Sequence, residues 1–326
     1  MSLLEKLQPL LILAAVLLGL SLGAIPHMSD GAGHFILPLL MLMLTGVFLQ
    51  VPLKRFAGAF RYRRVALASL IINFAWTPIF AWVLGWLFLH DQPALWIGLL
   101  MLLVTPCTDW YIVFTAVARG HVVLSTALLP VNLVLQLLLL PVYLAVLAGA
   151  VLPINLGLIA RSVALVLVLP LLAATVLRPV MARSRETSFL KPIRAPFTQT
   201  GQFLFLALAI AAMFASEGGV ILRNPQVLLL LLPPLLVFFA LNMVLAFGVS
   251  KSLKTDYESF ASLCCTTLAR NSPIALAVAL AAFPEQPLIA LSLVIGPLIE
   301  LPVLGMVAQA LLWIRRRGVF ERAVDF

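Results

Sequence analysis

An all-α protein threaded repeatedly through a lipid bilayer is the fold class this sequence predicts, and three observations predict it. Of its 326 residues 63% are hydrophobic and only 10% are charged, against about a quarter charged in a soluble domain. Mean hydropathy is +1.15. The apolar residues gather into ten runs of about twenty residues, the helix length that crosses the hydrocarbon core.

The first run, Leu7–Ala24, shares a short lead and an apolar centre with signal peptides. It is read as a retained span, because its loss would upset the charge pattern described below. Span two is His34–Val51, span three Val65–Leu89 and span four Ala94–Ala118. Span four is interrupted: Pro106 removes a backbone donor and clashes with the preceding turn, and Thr108 and Asp109 are residue types that cap a new half-helix. Span five, Val122–Leu147, carries Ser125, Asn132 and Gln136 along one face, to line a pathway or to glue helices together. Spans six, seven and eight are Ile154–Leu177, Phe197–Ala215 and Val227–Val249. Span nine, Tyr257–Phe283, is interrupted at Arg270-Asn271-Ser272-Pro273. Span ten, Leu288–Ile314, holds Glu300 between the helix-disrupting Pro297 and Pro302, whose freed carbonyls are expected to help hold a cation or proton.

The net charge of +9 sits in short loops. It therefore reads as orientation signal and contact with anionic lipid, not as nucleic-acid binding. Eighteen of the 21 Lys and Arg residues fall on one side, five between spans two and three and five between spans six and seven. That side, with both termini, is predicted to be cytoplasmic, in the plasma (inner) membrane.

The halves echo each other, residues 1–153 and 154–326 forming two five-span repeats. Pro106 and Pro273 lie 167 residues apart, and Asn73 with Asn242 and Pro130 with Pro297 recur at similar offsets. An odd number of spans per repeat inverts the second copy, and inverted repeats with matched broken helices place a binding site where the breaks meet.

Charge inside a span costs about 2.5–3.5 kcal/mol even on the lenient insertion scale. Asp109, Arg270 and Glu300 are therefore expected to face a cavity, to pair, or (for the acids) to carry a proton. Cys107, ahead of a half-helix, suits a soft ligand for soft metals and metalloids, without forming a stable metal site. The adjacent Cys264 and Cys265 read as packing residues. No Walker loop or dinucleotide fingerprint occurs, so no cofactor is implied. His27, His34, His90 and His121 lie near span ends and suggest no enzyme site.

Pro106-Cys107-Thr108 and Gly296-Pro297-Leu298-Ile299-Glu300-Leu301-Pro302 resemble signatures of the arsenite-efflux permeases in the bile acid:sodium symporter superfamily. The resemblance implies a panel of spans one, two, six and seven, and a core of spans three to five and eight to ten. Spans four and nine would cross at their breaks, and the core would move against the panel. It further implies arsenite extrusion coupled to proton entry, with Cys107 contacting the metalloid and Glu300 carrying the proton. The substrate site is expected among Cys107, Thr108, Asp109, Arg270, Asn271 and Ser272, with Asp109 a second coupling acid. Ser125, Asn132, Gln136 and Asn73 are expected along the pathway.

The chain departs from those permeases at Asp109-Trp110-Tyr111, and its span five lacks their Asn-Asp pair. The sodium-coupled branch carries a glutamate where this chain has Thr266, followed by Arg270-Asn271, so proton coupling or uniport is favoured over sodium symport. The partners expected are the bilayer, protons and a small anionic or neutral solute. The alternative is symport of an organic anion, with Arg270 binding its carboxylate or sulfonate.

Overall fold

Every regular element among the described residues is a helix. The computed structural model describes residues 3–23, 25, 28–50, 62–108, 110–151, 156–183, 199–223 and 226–320. In chain order the helices are α1 (Leu3–Gly23), α2 (Met28–Gln50), α3 (Arg63–Leu89), α4 (Pro93–Leu103), α5 (Trp110–Val117) and α6 (Val122–Ala148). There follow α7 (Leu156–Arg183), α8 (Gln199–Arg223), α9 (Gln226–Ser252), α10 (Tyr257–Leu268), α11 (Ser272–Ala282) and α12 (Pro287–Arg316).

Among the described residues six stretches are long and apolar enough to cross a membrane: Gly31–Leu49, Arg63–Leu89, Val122–Ala148, Ala160–Pro179, Leu229–Ser252 and Pro287–Arg316. Pro93–Leu103 and Ser272–Ala282 are apolar but only 11 residues each. At 1.5 Å per residue each reaches roughly halfway through the ~30 Å core, because the chain breaks beside them.

Proline acts differently at different places. In α3 the residues Ile72–Trp76 widen into a π-turn just before Pro78. Pro78 has no N–H for the Phe74 carbonyl, which instead accepts the Tyr143 hydroxyl of α6 at 2.6 Å. The widened turn carries Asn73. In α12, by contrast, Pro297 and Pro302 lie inside an unbroken helix. The expected disruption around Glu300 does not occur. Each proline removes a donor, yet a packed membrane helix tolerates that loss when neighbours compensate.

The chain clusters into two compact units. One comprises Met1–Val51, Asn155–Val227 and Pro273–Val294. Within it α1 and α2 both pack on α8, and α2 also packs on α7. Gly19 and Gly23 of α1 face Ala211 and Ala215 of α8, small residues at matching four-residue spacing. This is the small-xxx-small contact that lets membrane helices approach closely. A Cβ on Gly19 would lie 2.7 Å from the Phe214 Cβ. Gly19→Leu is therefore expected to cost about 1–3 kcal/mol through overpacking. It should abolish a disulfide engineered between the two helices outside the contact, and undiminished cross-linking would contradict this packing.

The other unit comprises Pro52–Ile154, Leu228–Ser272 and Ile295–Phe326. There α10 packs on α3, α5 and α6, and α3 on α4. Buried Cys264 and Cys265 belong to this packing, and none of the three cysteines is in a disulfide.

Candidate functional site

The site is built where two helices stop. The last turn of α4 closes with the Val104 N–H donating to the Leu100 carbonyl at 3.0 Å. Two residues later Pro106 has no N–H to give, and the chain leaves the helix. The start of α10 is capped by Asp256, whose Oδ1 accepts the Ser259 N–H at 2.7 Å. Its end turns extended at Ala269, with φ −72° and ψ 137°.

Broken backbone at membrane depth must find hydrogen bonds within the protein. The two extended pieces supply them to each other. Pro106 and Arg270 form an antiparallel bridge, the one isolated bridge among the described residues. The Cys107 N–H donates to the Ala269 carbonyl at 3.0 Å, and the Asn271 N–H to the Thr105 carbonyl at 2.6 Å. Thr105 Oγ1 lies 3.0 Å from the Met101 carbonyl and 3.2 Å from that of Asn271, so it ties the crossing to α4.

Three side chains of contrasting chemistry sit on this crossing. Cys107 is buried, and its sulfur accepts the Trp110 N–H at 3.3 Å, in the first turn of α5. The thiol thus caps the start of α5. Thr108 Oγ1 accepts from Asn271 Nδ2 at 3.4 Å, and Asp109, the other expected cap, lies outside the described residues. Ser272, also buried, opens α11. Glu300 Oε1 accepts the backbone N–H of Arg270 at 2.8 Å. Because Ala269 holds the Cys107 backbone and Arg270 holds the Glu300 carboxylate, both residues are tied to neighbouring positions of one crossing.

Arg270 does not pair with a carboxylate among the described residues. Its guanidinium donates to the Leu103 carbonyl at 2.8 Å, to the Leu268 carbonyl at 3.2 Å, to Asn73 Oδ1 at 3.0 Å and to the Thr267 carbonyl. It also lies over the Phe238 ring, 5.0 Å from the centroid. Leu103 ends α4, and Thr267 and Leu268 end α10. Helix C-termini leave carbonyls unsatisfied and carry partial negative charge. One buried cation therefore closes two of them at once.

The polar residues expected along a pathway divide into two sets. Asn73 is fully engaged, accepting from Arg270 and donating to the Thr266 carbonyl at 3.1 Å. Ser125 is engaged too: its hydroxyl lies 3.1 Å from Thr115 Oγ1, and its carbonyl accepts the Tyr111 hydroxyl at 2.8 Å. Asn132 and Gln136 are 0% exposed, yet neither amide nitrogen nor amide oxygen of either has a partner. Thr105, Thr267 and Phe238 were not singled out by sequence, although Thr105 directly precedes the Pro106 break and could have been.

Chemically, the crossing carries a soft sulfur on one of its residues and an acid hydrogen-bonded to another, while the guanidinium is committed to backbone carbonyls and Asn73. Among the described residues no group of three His, Cys, Asp or Glu is placed to hold a metal ion.

The profile of the Sodium Bile acid symporter family matches residues 37–224, more than half of the chain. The arsenical-resistance protein Acr3 of Corynebacterium glutamicum is 29% identical over 338 residues, covering 96% of this chain and 90% of that protein. A second Acr3, from Alkaliphilus metalliredigens, is 25% identical over 210 residues, covering 64% of this chain and 58% of its own. An uncharacterized transporter of Synechocystis sp. is 22% identical over 338 residues, covering 95% of this chain and 88% of its own.

Proposed function

The chain belongs to the Sodium Bile acid symporter family of membrane transporters, and from that premise we propose that it extrudes arsenite, or a similar small oxyacid, in exchange for entering protons. The observation that carries this reading is that the Cys107 backbone N–H and the Glu300 carboxylate hydrogen-bond to Ala269 and Arg270, adjacent residues of one crossing. A thiol there suits a soft metalloid. A carboxylate shielded from water favours exchange of a proton over permanent charge. The likeness to two proteins named for arsenical resistance adds to it.

In this reading the chain makes ten spans as two inverted five-helix repeats, with the interrupted spans four and nine crossing in the core and both termini in the cytoplasm. Cys107 contacts the metalloid, Thr108, Asn271 and Ser272 border it, and Glu300 or Asp109 carries the proton. Arg270 positions the crossing and does not bind the cargo, since its donors already meet backbone carbonyls and Asn73. That engagement also weighs against the organic-anion alternative, which needs a guanidinium turned toward the solute. Sodium coupling is disfavoured because Thr266 Oγ1 lies 3.1 Å from Ser69 Oγ where the sodium-coupled branch has a carboxylate.

The test is flux in proteoliposomes with arsenite and taurocholate offered separately, and with sodium and pH gradients imposed independently. Arsenite should move against its gradient when protons run inward, and a sodium gradient alone should drive nothing. Cys107→Ser keeps an acceptor for the Trp110 N–H and should fold normally. It should nevertheless reduce arsenite protection to that of cells lacking the protein. Full protection by the folded variant would remove the thiol from the mechanism.

A further inference from the structure

Asn132 and Gln136 are the least explained polar groups among the described residues. Both lie on α6, four residues apart, so their side chains leave the same face about 5–6 Å from each other. Both are 0% exposed, and all four amide atoms lack a partner, so the two amides do not bond each other either. Burying an amide without hydrogen bonds is costly, and even one such group in a native structure needs a physical reason. Two on one face need a shared one.

Their placement gives a direction. The α5–α6 connection is a tight turn, with the Gly120 N–H donating to the Thr115 carbonyl at 2.8 Å. Tyr111 and Thr115 of α5 then meet Ser125 of α6, so the two helices run antiparallel. Continuing up α6 past Ser125 by seven residues reaches Asn132. In the other direction, Cys107 lies just before the first residue of α5, Trp110. The unpartnered amides therefore lie toward the thiol end of the hairpin.

We infer that Asn132 and Gln136 form a binding site for an uncharged, hydroxyl-bearing solute, the undissociated form of a small trihydroxy acid. The inference rests on the transport reading above and narrows its substrate class. A carboxamide offers two donors and an acceptor with no net charge, and a hydroxyl both donates and accepts. The pair therefore matches several hydroxyls around one small centre. An ionised solute would find no countercharge in the pair, and a metal cation would find only two amide oxygens.

The experiment uses the full-length protein in proteoliposomes, with undissociated arsenous acid and boric acid as probes at neutral pH. Boric acid shares the three hydroxyls but has no affinity for thiols. Asn132→Leu and Gln136→Met replace each amide with an apolar group of similar shape. Each should slow entry of both probes about tenfold. The thermal unfolding midpoint should stay or rise, because a buried group without a partner has been removed. Asn132→Ala and Gln136→Ala, which cannot overpack, should show the same loss of flux. Unchanged flux in the single variants would mean that the amides hold internal water only, and would overturn the site. A midpoint that falls in step with flux would make them structural glue, and would overturn it equally. If the wild type moves boric acid through the amide pair but not arsenous acid, the arsenite reading fails while the site stands.

Discussion

Arg270→Leu will loosen the helix crossing and abolish transport. The leucine leaves the carbonyls of Leu103, Thr267 and Leu268, and the Asn73 Oδ1, without the donors they now have. An unsatisfied buried polar group costs about 1–3 kcal/mol, and such costs do not simply add. With four acceptors stranded at once, a total of about 3–5 kcal/mol is the expected loss. The crossing should open locally before the whole chain unfolds, because the guanidinium that tied the ends of α4 and α10 together is gone. Cys107, now 4% exposed, should become reactive toward a small uncharged maleimide. Arg270→Lys keeps the charge but not the planar fork that reaches several acceptors at once. It should fall between wild type and leucine in both unfolding midpoint and labelling rate. Wild-type midpoint and labelling in Arg270→Leu would show that the guanidinium is not the clamp.

Some of this arrangement is legible in the residues alone, and the reason lies in what each residue forces. A stop near Pro106 is readable because an unbroken lipid-facing helix cannot easily absorb both a lost donor and a polar cluster at one point. Arg270-Asn271-Ser272-Pro273 is readable for the same reason. Pro297 and Pro302 carry the same local signal, yet α12 runs straight through them. Whether a proline breaks a helix depends on what the freed groups meet in space, and spacing along the chain does not contain that. The π-turn at Asn73 is invisible for a related cause, since it depends on Tyr143 reaching the Phe74 carbonyl from another helix. Composition places Arg270 in the membrane but leaves its direction open. An ion pair with a carboxylate is the natural expectation, and helix-end carbonyls are the less obvious sink for its charge. The polar stripe Ser125, Asn132 and Gln136 is readable as a stripe. Its division into a satisfied member and two unsatisfied ones appears only once α5 is folded against α6.

Glu300→Gln separates the acid's two roles, which the crossing otherwise combines. As an acceptor, Glu300 Oε1 fixes the backbone N–H of Arg270 at 2.8 Å. Glutamine retains an oxygen of the same reach, so the variant should fold, keep Cys107 unreactive and bind solute as before. As an acid, it loses the only proton it could release. Transport against a gradient should then fall to the level of protein-free vesicles, whatever pH difference is imposed. Exchange of labelled for unlabelled solute at equal concentrations needs no net proton movement and should persist. Glu300→Leu removes the acceptor as well. It should lose exchange too and expose Cys107 to labelling, because the Arg270 N–H is left without its partner. The two variants therefore predict different pairs of outcomes from one side chain. If Glu300→Gln still drives uphill efflux under an inward proton gradient, the carrier is another acid, and Asp109, two residues along the chain from Cys107, becomes the residue to test.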